Sequence, residues 1–258
     1  MSASLKIDGL SVTLGGNKIL EDVSFAINRG EIVGLIGPNG AGKSTAIKSI
    51  LGLVERNGGT IKVGDDDVAA MEPRKRAKTL AYVPQGAPVH WPLTAERTVA
   101  LGRVPHLTPW QTLGPADDAA IRDAMEKTDC WDFRDRLVTT LSGGERARVL
   151  LARTLAVAAD YILADEPIAA LDPMHQLQVM DILKTEAASG TGVLIVMHDL
   201  GLAMRTCDKL VLLDDNKVLA EGISTEVLTD ENLKIAFGVE ASRWQDGGNF
   251  LVPKRVVE

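Results

Sequence analysis

The residues best suited to chemistry form one short segment, residues 37–44, with the sequence Gly-Pro-Asn-Gly-Ala-Gly-Lys-Ser. In this pattern, G-x-x-x-x-G-K-S, the glycines let successive backbone N–H groups approach a phosphate that side chains would block. The Lys43 ammonium would add a positive charge at the β- and γ-phosphates of a nucleotide, and the Ser44 hydroxyl could ligate Mg²⁺. The segment therefore predicts a nucleotide-phosphate site, and a glycine-rich turn without a ligand is the alternative. The residues predicted to contact the nucleotide here are Gly37, Pro38, Asn39, Gly40, Ala41, Gly42, Lys43, Ser44 and Thr45.

A second candidate is the acidic pair Asp165 and Glu166, which follows the apolar run of residues 161–164. A strand interior cannot solvate paired carboxylates, so we expect both at the carboxyl edge of a parallel sheet, where α/β proteins bind ligands. Asp165 would hold Mg²⁺, directly or through water, and Glu166 would orient and deprotonate an attacking water. An acidic loop after a core strand is the alternative interpretation.

A third candidate is the sequence Leu-Ser-Gly-Gly-Glu at residues 141–145, which precedes an apolar-periodic run. Ser142 and Glu145 are three residues apart, as in a capping box at the start of a helix. Capping does not explain Gly143 and Gly144, which would leave bare backbone N–H groups that suit a phosphate. The capping and ligand interpretations are compatible, and both stay open here.

An α/β core must position these residues. Residues 32–36, 161–164 and 193–197 are continuous apolar runs, typical of parallel strands buried on both faces, with helix-like segments between them. Alternating apolar residues over 5–27, interrupted by glycine and asparagine turns, predict short antiparallel strands before this core. The fold class is therefore α/β with a parallel sheet and an N-terminal antiparallel β subdomain.

The helical segments divide the chain further. Helices are predicted over residues 45–53, 117–127 and 145–158. The predicted organisation is a single domain over 1–238, with a core of 1–85 and 159–238, a helical insertion of 86–158, and a loosely packed C-terminal extension of 239–258.

Composition restricts the class of protein. The chain has 258 residues, a net charge of −7 and a pI near 5.2, so binding of nucleic acid through a basic surface is disfavoured. No apolar stretch approaches the ~20 residues of a membrane span. The N-terminus has no apolar signal segment, and Cys130 and Cys207 are two isolated thiols, as expected in a reducing cytosol.

In order and spacing these motifs resemble the ATP-binding cassette (ABC) family, from about residue 4 to 238. The resemblance implies a P-loop NTPase core. Gln85, in Tyr-Val-Pro-Gln, would contact Mg²⁺ or the lytic water and link the core to the insertion. Asp172 would belong to the D-loop, and His198 would contact the γ-phosphate. The implied catalytic residues are Glu166, His198, Gln85 and Lys43, and the implied Mg²⁺ ligands are Ser44, Gln85 and Asp165.

The family also implies a homodimer in which each ATP lies between the phosphate loop of one subunit and residues 142–144 of the other. Ser142, Gly143, Gly144 and Asp172 are thus nucleotide-contacting candidates. Two positions depart from the family's pattern. Leu14 replaces the aromatic residue that stacks on adenine, so base selectivity could be relaxed, and Ala169 replaces the first serine of the D-loop.

The segment Gly-Arg-Val-Pro-His at residues 102–106 is similar to ATPases of importers for ferric siderophores, haem and cobalamin, as is the segment 226–239. The proline- and tryptophan-rich segment 86–110 lies where family members receive the membrane permease, with an irregular loop as the equally weighted alternative. His90, His106 and His175 lack metal-ligand spacing and are interpreted as structural.

Together these features predict a cytoplasmic ATPase subunit, peripheral on the inner face of the cell membrane. It would work with separate permease subunits and a substrate-binding protein, use ATP and Mg²⁺, and bind no nucleic acid. The alternatives are an importer of another substrate class, a nontransport ABC ATPase in DNA repair or translation, and a noncatalytic module that binds ATP as a regulatory ligand.

Overall fold

The computed structural model describes residues 4–86, 91–169, 171–245 and 249–256. The chain forms two compact units: the first comprises Met1–Met71 and Gly192–Glu258, and the second comprises Glu72–Thr191. The described strands are β1 (Leu5–Leu14), β2 (Asn17–Ile27), β3 (Ile32–Ile36), β4 (Gly58–Val63), β5 (Asp66–Asp67), β6 (Leu80–Val83), β7 (Tyr161–Asp165), β8 (Gly192–Val196), β9 (Lys209–Asp214), β10 (Lys217–Gly222), β11 (Val239–Gln245) and β12 (Asn249–Val256).

The described α-helices are α1 (Lys43–Ile50), α2 (Pro73–Thr79), α3 (Ala95–Ala100), α4 (Pro115–Lys127), α5 (Gly143–Leu155), α6 (Pro173–Ala188), α7 (Leu200–Thr206), α8 (Ser224–Val227) and α9 (Asp230–Phe237). Short 3₁₀ helices span Leu101–His106, Trp131–Phe133 and Val138–Thr140. No helix in the described part of the chain is long and apolar enough to cross a membrane.

The antiparallel sheet of the first unit has the strand order β2-β1-β4-β5. In β1 the side chains alternate: Leu5 and Ile7 are buried, whereas Lys6 and Asp8 are exposed. Such alternation places every second residue on the core face of a sheet with one solvated side. Leu5 lies opposite Ile27 of β2 on one side and Val63 of β4 on the other. The predicted N-terminal antiparallel strands are confirmed.

The first unit also contains a mixed sheet. Its strand β3 pairs in parallel with both β8 and β9, and β9 pairs with β10 in antiparallel fashion. All five residues of β3 and all five of β8 are buried, as the continuous apolar runs predict. Parallel pairing means that the carboxyl ends of β3 and β8 lie at one edge of this sheet.

In the second unit, β6 pairs in parallel with β7, and the described helices α3, α4 and α5 enclose a hydrophobic cluster of their own. The largest members of this cluster are Ile121, Met125 and Leu141. This cluster accounts for the helical periodicity of the sequence over this region. The boundaries of the predicted insertion, 86–158, stay a prediction.

Two helix ends differ from the sequence-based expectation. The helix after the phosphate loop ends at Ile50 rather than residue 53, and Gly52 takes a φ of 70°. The helix predicted to reach residue 158 ends at Leu155, and Ala158 takes a φ of 53°. A residue in the left-handed region cannot continue a right-handed helix. The prediction extended past these points because apolar periodicity carries no information about backbone φ angles.

The C-terminal extension was predicted to be loosely packed, and this is wrong for its described part. β11 and β12 form an antiparallel hairpin in which Leu251 is buried. Trp244 and Phe250 stack across the hairpin with ring centroids 5.5 Å apart. Such cross-strand aromatic pairs stabilise a two-stranded sheet that is otherwise marginal in water.

Candidate functional site

The phosphate loop follows β3 and ends where α1 begins. Gly37 has a φ of 146°, and a Cβ there would lie 2.2 Å from the Leu213 carbonyl oxygen. Gly42 has a φ of 92°, and its Cβ would lie 2.7 Å from the Ile19 carbonyl oxygen. Both conflicts are with backbone, which cannot move aside cheaply, so the fold itself requires glycine at these positions.

Lys43 is buried, and its ammonium lies within the loop. Nζ donates hydrogen bonds of 2.8 Å to the carbonyl oxygens of Gly37 and Pro38. Gly42 caps α1 without a side-chain hydrogen bond, and the first turn of this helix contains no acidic residue. The start of the helix therefore carries about half a positive charge, beside a full positive charge on Lys43. Ser44 and Thr45 lie half-buried in the same turn.

His198 belongs to the same unit and follows β8 after Met197. The register of β3 and β8 places Leu35 beside Val196, and the Met197 N–H donates to the Leu35 carbonyl. The phosphate loop and His198 thus leave the sheet at the same edge, as their places after parallel strands predict. The His198 side chain is exposed, and Asp199 caps α7 immediately after it.

In the second unit, Asp165 is the last residue of β7, and it is buried. The Tyr82 hydroxyl lies 3.5 Å from Asp165 Oδ2. Burial and the neighbouring Asp165 carboxylate raise the pKa of Tyr82 to about 12. The phenol therefore stays protonated at neutral pH and can act as a donor towards a buried carboxylate, which needs such partners.

Gln85 and Glu166 lie together beyond the ends of β6 and β7. Val83 pairs with Ala164, and Gln85 and Glu166 each follow two residues later in the chain. There Gln85 Nε2 donates a 2.7 Å hydrogen bond to Glu166 Oε2. Glu166 has a φ of 51°, a conformation that costs a non-glycine residue of the order of 1–3 kcal/mol. Backbone strain of this kind occurs where the surrounding structure must hold a functional side chain in place.

The capping box predicted at residues 142–145 is confirmed. Ser142 Oγ accepts a 3.2 Å hydrogen bond from the Glu145 N–H, and the Ser142 N–H donates to Glu145 Oε2 at 2.8 Å. The Ser142 backbone hydrogen bond lowers the pKa of Glu145, and the paired Arg136 lowers it further. A Cβ at Gly143 would meet no atom within 4 Å. Packing within this chain thus gives no reason for glycine there, which favours a ligand at the start of α5.

Asp172 caps α6 through the His175 N–H, which is 3.0 Å from Asp172 Oδ1. The His175 ring Nδ1 lies 2.8 Å from both oxygens of the same carboxylate, and these contacts lower the pKa of Asp172. A Cβ at Gly144 would lie 3.8 Å from this ring. His175, expected to be merely structural, thus connects a predicted nucleotide-contacting acid to the start of α5. The sequence could have indicated this contact, because His175 follows the helix cap Asp172 by three residues.

The segment Gly-Arg-Val-Pro-His packs on the end of α5. A Cβ at Gly102 would lie 2.2 Å from the Arg153 carbonyl oxygen, so only glycine permits this approach. Arg103 Nη1 donates to the Ala156 carbonyl at 2.7 Å, and Arg103 Nε donates to Asp117 Oδ1 at 2.9 Å. His106 Nε2 lies 2.8 Å from the Val157 carbonyl. The segment therefore satisfies carbonyl groups that a helix end leaves unpaired.

The remaining predicted positions are described by their exposure. Leu14 is 45% exposed at the end of β1, and Trp91 and Trp110 are exposed in the second unit. His90 lies outside the described residues. Neither cysteine forms a disulfide: Cys130 is buried, and Cys207 is partly exposed.

The donors are suited to Mg²⁺. Among the described residues, no group of three or more histidine, cysteine or acidic side chains is placed so that it could hold a metal ion. An all-protein metal cage is therefore absent from the described part of the chain. Mg²⁺ is usually bound by one or two protein oxygens, with phosphate oxygens and waters completing its octahedron. In the second unit, the Gln85 amide and the buried Asp165 carboxylate are donors of this kind.

Comparison with known proteins identifies the family. The sequence profile of the family described as ABC transporter matches residues 20–169, more than half of the chain. The chain belongs to this family. It is 43% identical over 235 residues to the cobalamin import ATP-binding protein BtuD of Halobacterium salinarum, covering 91% of this chain but 58% of that protein. It is 41% identical over 259 residues to the hemin import ATP-binding protein HmuV of Rhodococcus jostii, and this match covers 98% of this chain and 87% of that protein.

Solved structures agree on the fold. A structure assigned to the metal-chelate type of ABC transporter, in an inward-facing conformation, has a TM-score of 0.86 and 25% identity, and the match covers 98% of both chains. A nucleotide-free ATP-binding cassette has a TM-score of 0.81 at 23% identity, covering 90% of this ABC protein and 98% of that chain. The predicted α/β fold of an ABC ATPase, with parallel strands and N-terminal antiparallel strands, is therefore confirmed.

Proposed function

We propose that this ABC protein is the ATP-hydrolysing subunit of an importer. The observation that carries the proposal is the 2.7 Å hydrogen bond between Gln85 and Glu166, next to the buried Asp165. An amide that holds a strained glutamate fixes the carboxylate in one orientation. A fixed carboxylate is what activation of a water molecule requires.

Each predicted site residue has a proposed role. Residues 37–45 bind the phosphates through backbone N–H groups, and the Lys43 ammonium compensates their charge. Glu166 deprotonates the attacking water, Gln85 orients Glu166, and His198 contacts the γ-phosphate. Ser44, Gln85 and Asp165 would hold Mg²⁺, which when bound neutralises charge on the phosphates.

We further propose that two copies form a homodimer around ATP. Ser142, Gly143, Gly144 and Asp172 of one copy would contact the nucleotide bound to the phosphate loop of the other. The open space in front of Gly143 supports this arrangement, because a phosphate approaching the start of α5 meets no side chain there.

The proposed partners are separate permease subunits and a substrate-binding protein, which would place the protein on the cytoplasmic face of a cell membrane. The exposed side chains of Trp91, Val104 and Trp110 support a protein-binding surface in the second unit. The cargo class we propose is an iron chelate, haem or cobalamin, since the relatives described above are import proteins for cobalamin and hemin. Uptake of the three cargoes side by side, in vesicles that contain the cognate permease, would identify the cargo.

The substitution Glu166→Gln tests the catalytic assignment. The amide keeps the size of the side chain but cannot accept a proton, so steady-state ATP hydrolysis should fall by about 100-fold or more. ATP binding should persist, and an ATP-bound dimer should accumulate on size-exclusion chromatography. Glu55→Gln, at an exposed residue after α1, is the matched control and should hydrolyse ATP at the rate of the unmodified protein. Unchanged hydrolysis by Glu166→Gln would show that another group activates the water.

A further inference from the structure

The C-terminal hairpin packs directly on α7, the short helix that follows His198. The backbones approach closely, since a Cβ at Gly201 would lie 2.8 Å from the Leu251 carbonyl oxygen. Leu251 itself is only 2% exposed, although its strand neighbour Val252 is 50% exposed. The Arg205 guanidinium lies 5.4 Å from the centre of the Phe250 ring. The first and last turns of α7 therefore both contact β12.

The other strand of the hairpin is attached independently. Arg243 in β11 donates hydrogen bonds to Asp230 at the start of α9 and to the Leu228 carbonyl. Arg255 pairs with Glu240 across the two strands, and Trp244 stacks on Phe250. The hairpin is thus bound to α9 through one strand and to α7 through the other.

His198 lies between β8 and α7, the helix on which the hairpin packs. It is the second residue beyond β8, and it directly precedes Asp199, whose side chain caps α7 through a 2.8 Å hydrogen bond with the Leu202 N–H. β8 is held by the sheet, so the His198 backbone is fixed by β8 on one side and by the first turn of α7 on the other. Gly201 is in that turn, and it is the residue that the hairpin backbone touches.

We propose that the hairpin is a positioning element for His198: Leu251 and Gly201 fix the first turn of α7 and thereby the imidazole. This inference rests on the proposed function, because it assumes that His198 acts on the γ-phosphate. The proposed function gives Leu251 and Gly201 no contact with the nucleotide or the attacking water, so they are positioning residues.

Two substitutions test the inference in the full-length protein. Leu251→Ala removes the buried anchor of β12, and Gly201→Ala forces the helix and the hairpin apart. A displacement near 1 Å costs up to about 100-fold in rate, so we expect kcat for ATP hydrolysis to fall about tenfold in both variants. KM and the binding constant for ATP should stay unchanged, because the phosphate loop is untouched. Leu251→Met, which conserves volume, should restore kcat.

The matched control is Leu10→Ala, at a fully buried leucine of β1 in the same unit. It creates a comparable cavity, and its kcat per folded molecule should equal that of the unmodified protein. If Leu251→Ala folds poorly, the test uses Gly201→Ala alone, because alanine forms helices more readily than the glycine that it replaces. Equal kcat values for Leu251→Ala, Gly201→Ala and Leu10→Ala would overturn the inference.

A double-substitution cycle separates this inference from the proposed function. In a His198→Ala background, Leu251→Ala should have no further effect on kcat, because the residue that it positions is gone. A loss by the same factor in both backgrounds would overturn the positioning role alone. Full turnover by His198→Ala, or no turnover by the unmodified protein, would overturn the proposed function and the inference with it.

Discussion

Ser142 allows its two predicted roles, helix cap and phosphate ligand, to be measured separately. Ser142→Ala removes the 3.2 Å hydrogen bond that Ser142 Oγ accepts, but it keeps the backbone hydrogen bond to Glu145 Oε2. Loss of a serine cap costs about 1 kcal/mol. For a chain of this size that loss lowers Tm by about 2–4 °C. Thermal unfolding followed by circular dichroism measures this shift.

Ser142→Asp separates the two roles. Aspartate caps helices as well as serine does, and its charge is favourable at a helix N-terminus, so Tm should not fall. The same charge would repel a phosphate at the start of α5. ATP hydrolysis should therefore fall further in Ser142→Asp than in Ser142→Ala, although the aspartate variant is the more stable of the two.

Thr94→Ala is the matched control in the same unit, because Thr94 Oγ1 caps α3 with an identical 3.2 Å hydrogen bond from the Arg97 N–H. It should lose stability like Ser142→Ala and retain ATP hydrolysis. Normal turnover by Ser142→Asp would refute the reasoning, since it would mean that no phosphate approaches this helix.

Two further predictions concern other parts of the protein. Gly42→Ala should lower the free energy of unfolding by about 1–3 kcal/mol in urea titrations, because the new Cβ meets the Ile19 carbonyl oxygen and φ is positive; stability equal to the unmodified protein would contradict this. The hydrogen bond that the Asp117 carboxylate accepts from the Gly114 N–H lowers the pKa of Asp117, and the hydrogen bond from Arg103 lowers it further. The ionised Asp117 carboxylate therefore stabilises the folded protein at pH values above the ordinary aspartate pKa of about 4. This stabilisation is lost as the pH falls through the lower pKa that Asp117 has in the folded protein. Below pH 4 the Tm of Asp117→Asn should fall less steeply than that of the unmodified protein, and parallel curves would contradict the assignment.

Much of the candidate site was predictable because its chemistry is local. The phosphate loop and the capping box each depend on backbone geometry within eight consecutive residues, and their spacing alone specifies that geometry. The strands β3, β7 and β8 were predictable for a related reason: continuous apolar runs are stable only when both faces are buried. The acidic pair at 165–166 followed from the end of such a run.

Other contacts had no sequence signal. Gln85 and Glu166 are 81 residues apart, and Arg103 and the Ala156 carbonyl are 53 apart. No short-range pattern connects such residues, because their pairing depends on how helices and strands pack over the whole unit. The same holds for Leu251, whose side chain is buried and whose carbonyl oxygen lies against Gly201 of α7, in a segment that the sequence alone presented as a loose extension.

The types of residue and their spacing thus specified which groups could bind phosphate and where the strands and helices that present them would form. Only the tertiary structure showed which side chains orient those groups: Gln85 on Glu166, and the Gly102–His106 segment on the end of α5. The physical reason is range. A loop or a cap is stabilised by hydrogen bonds between neighbours in the chain, whereas an orienting contact forms only after burial of distant apolar surface has brought its two partners together.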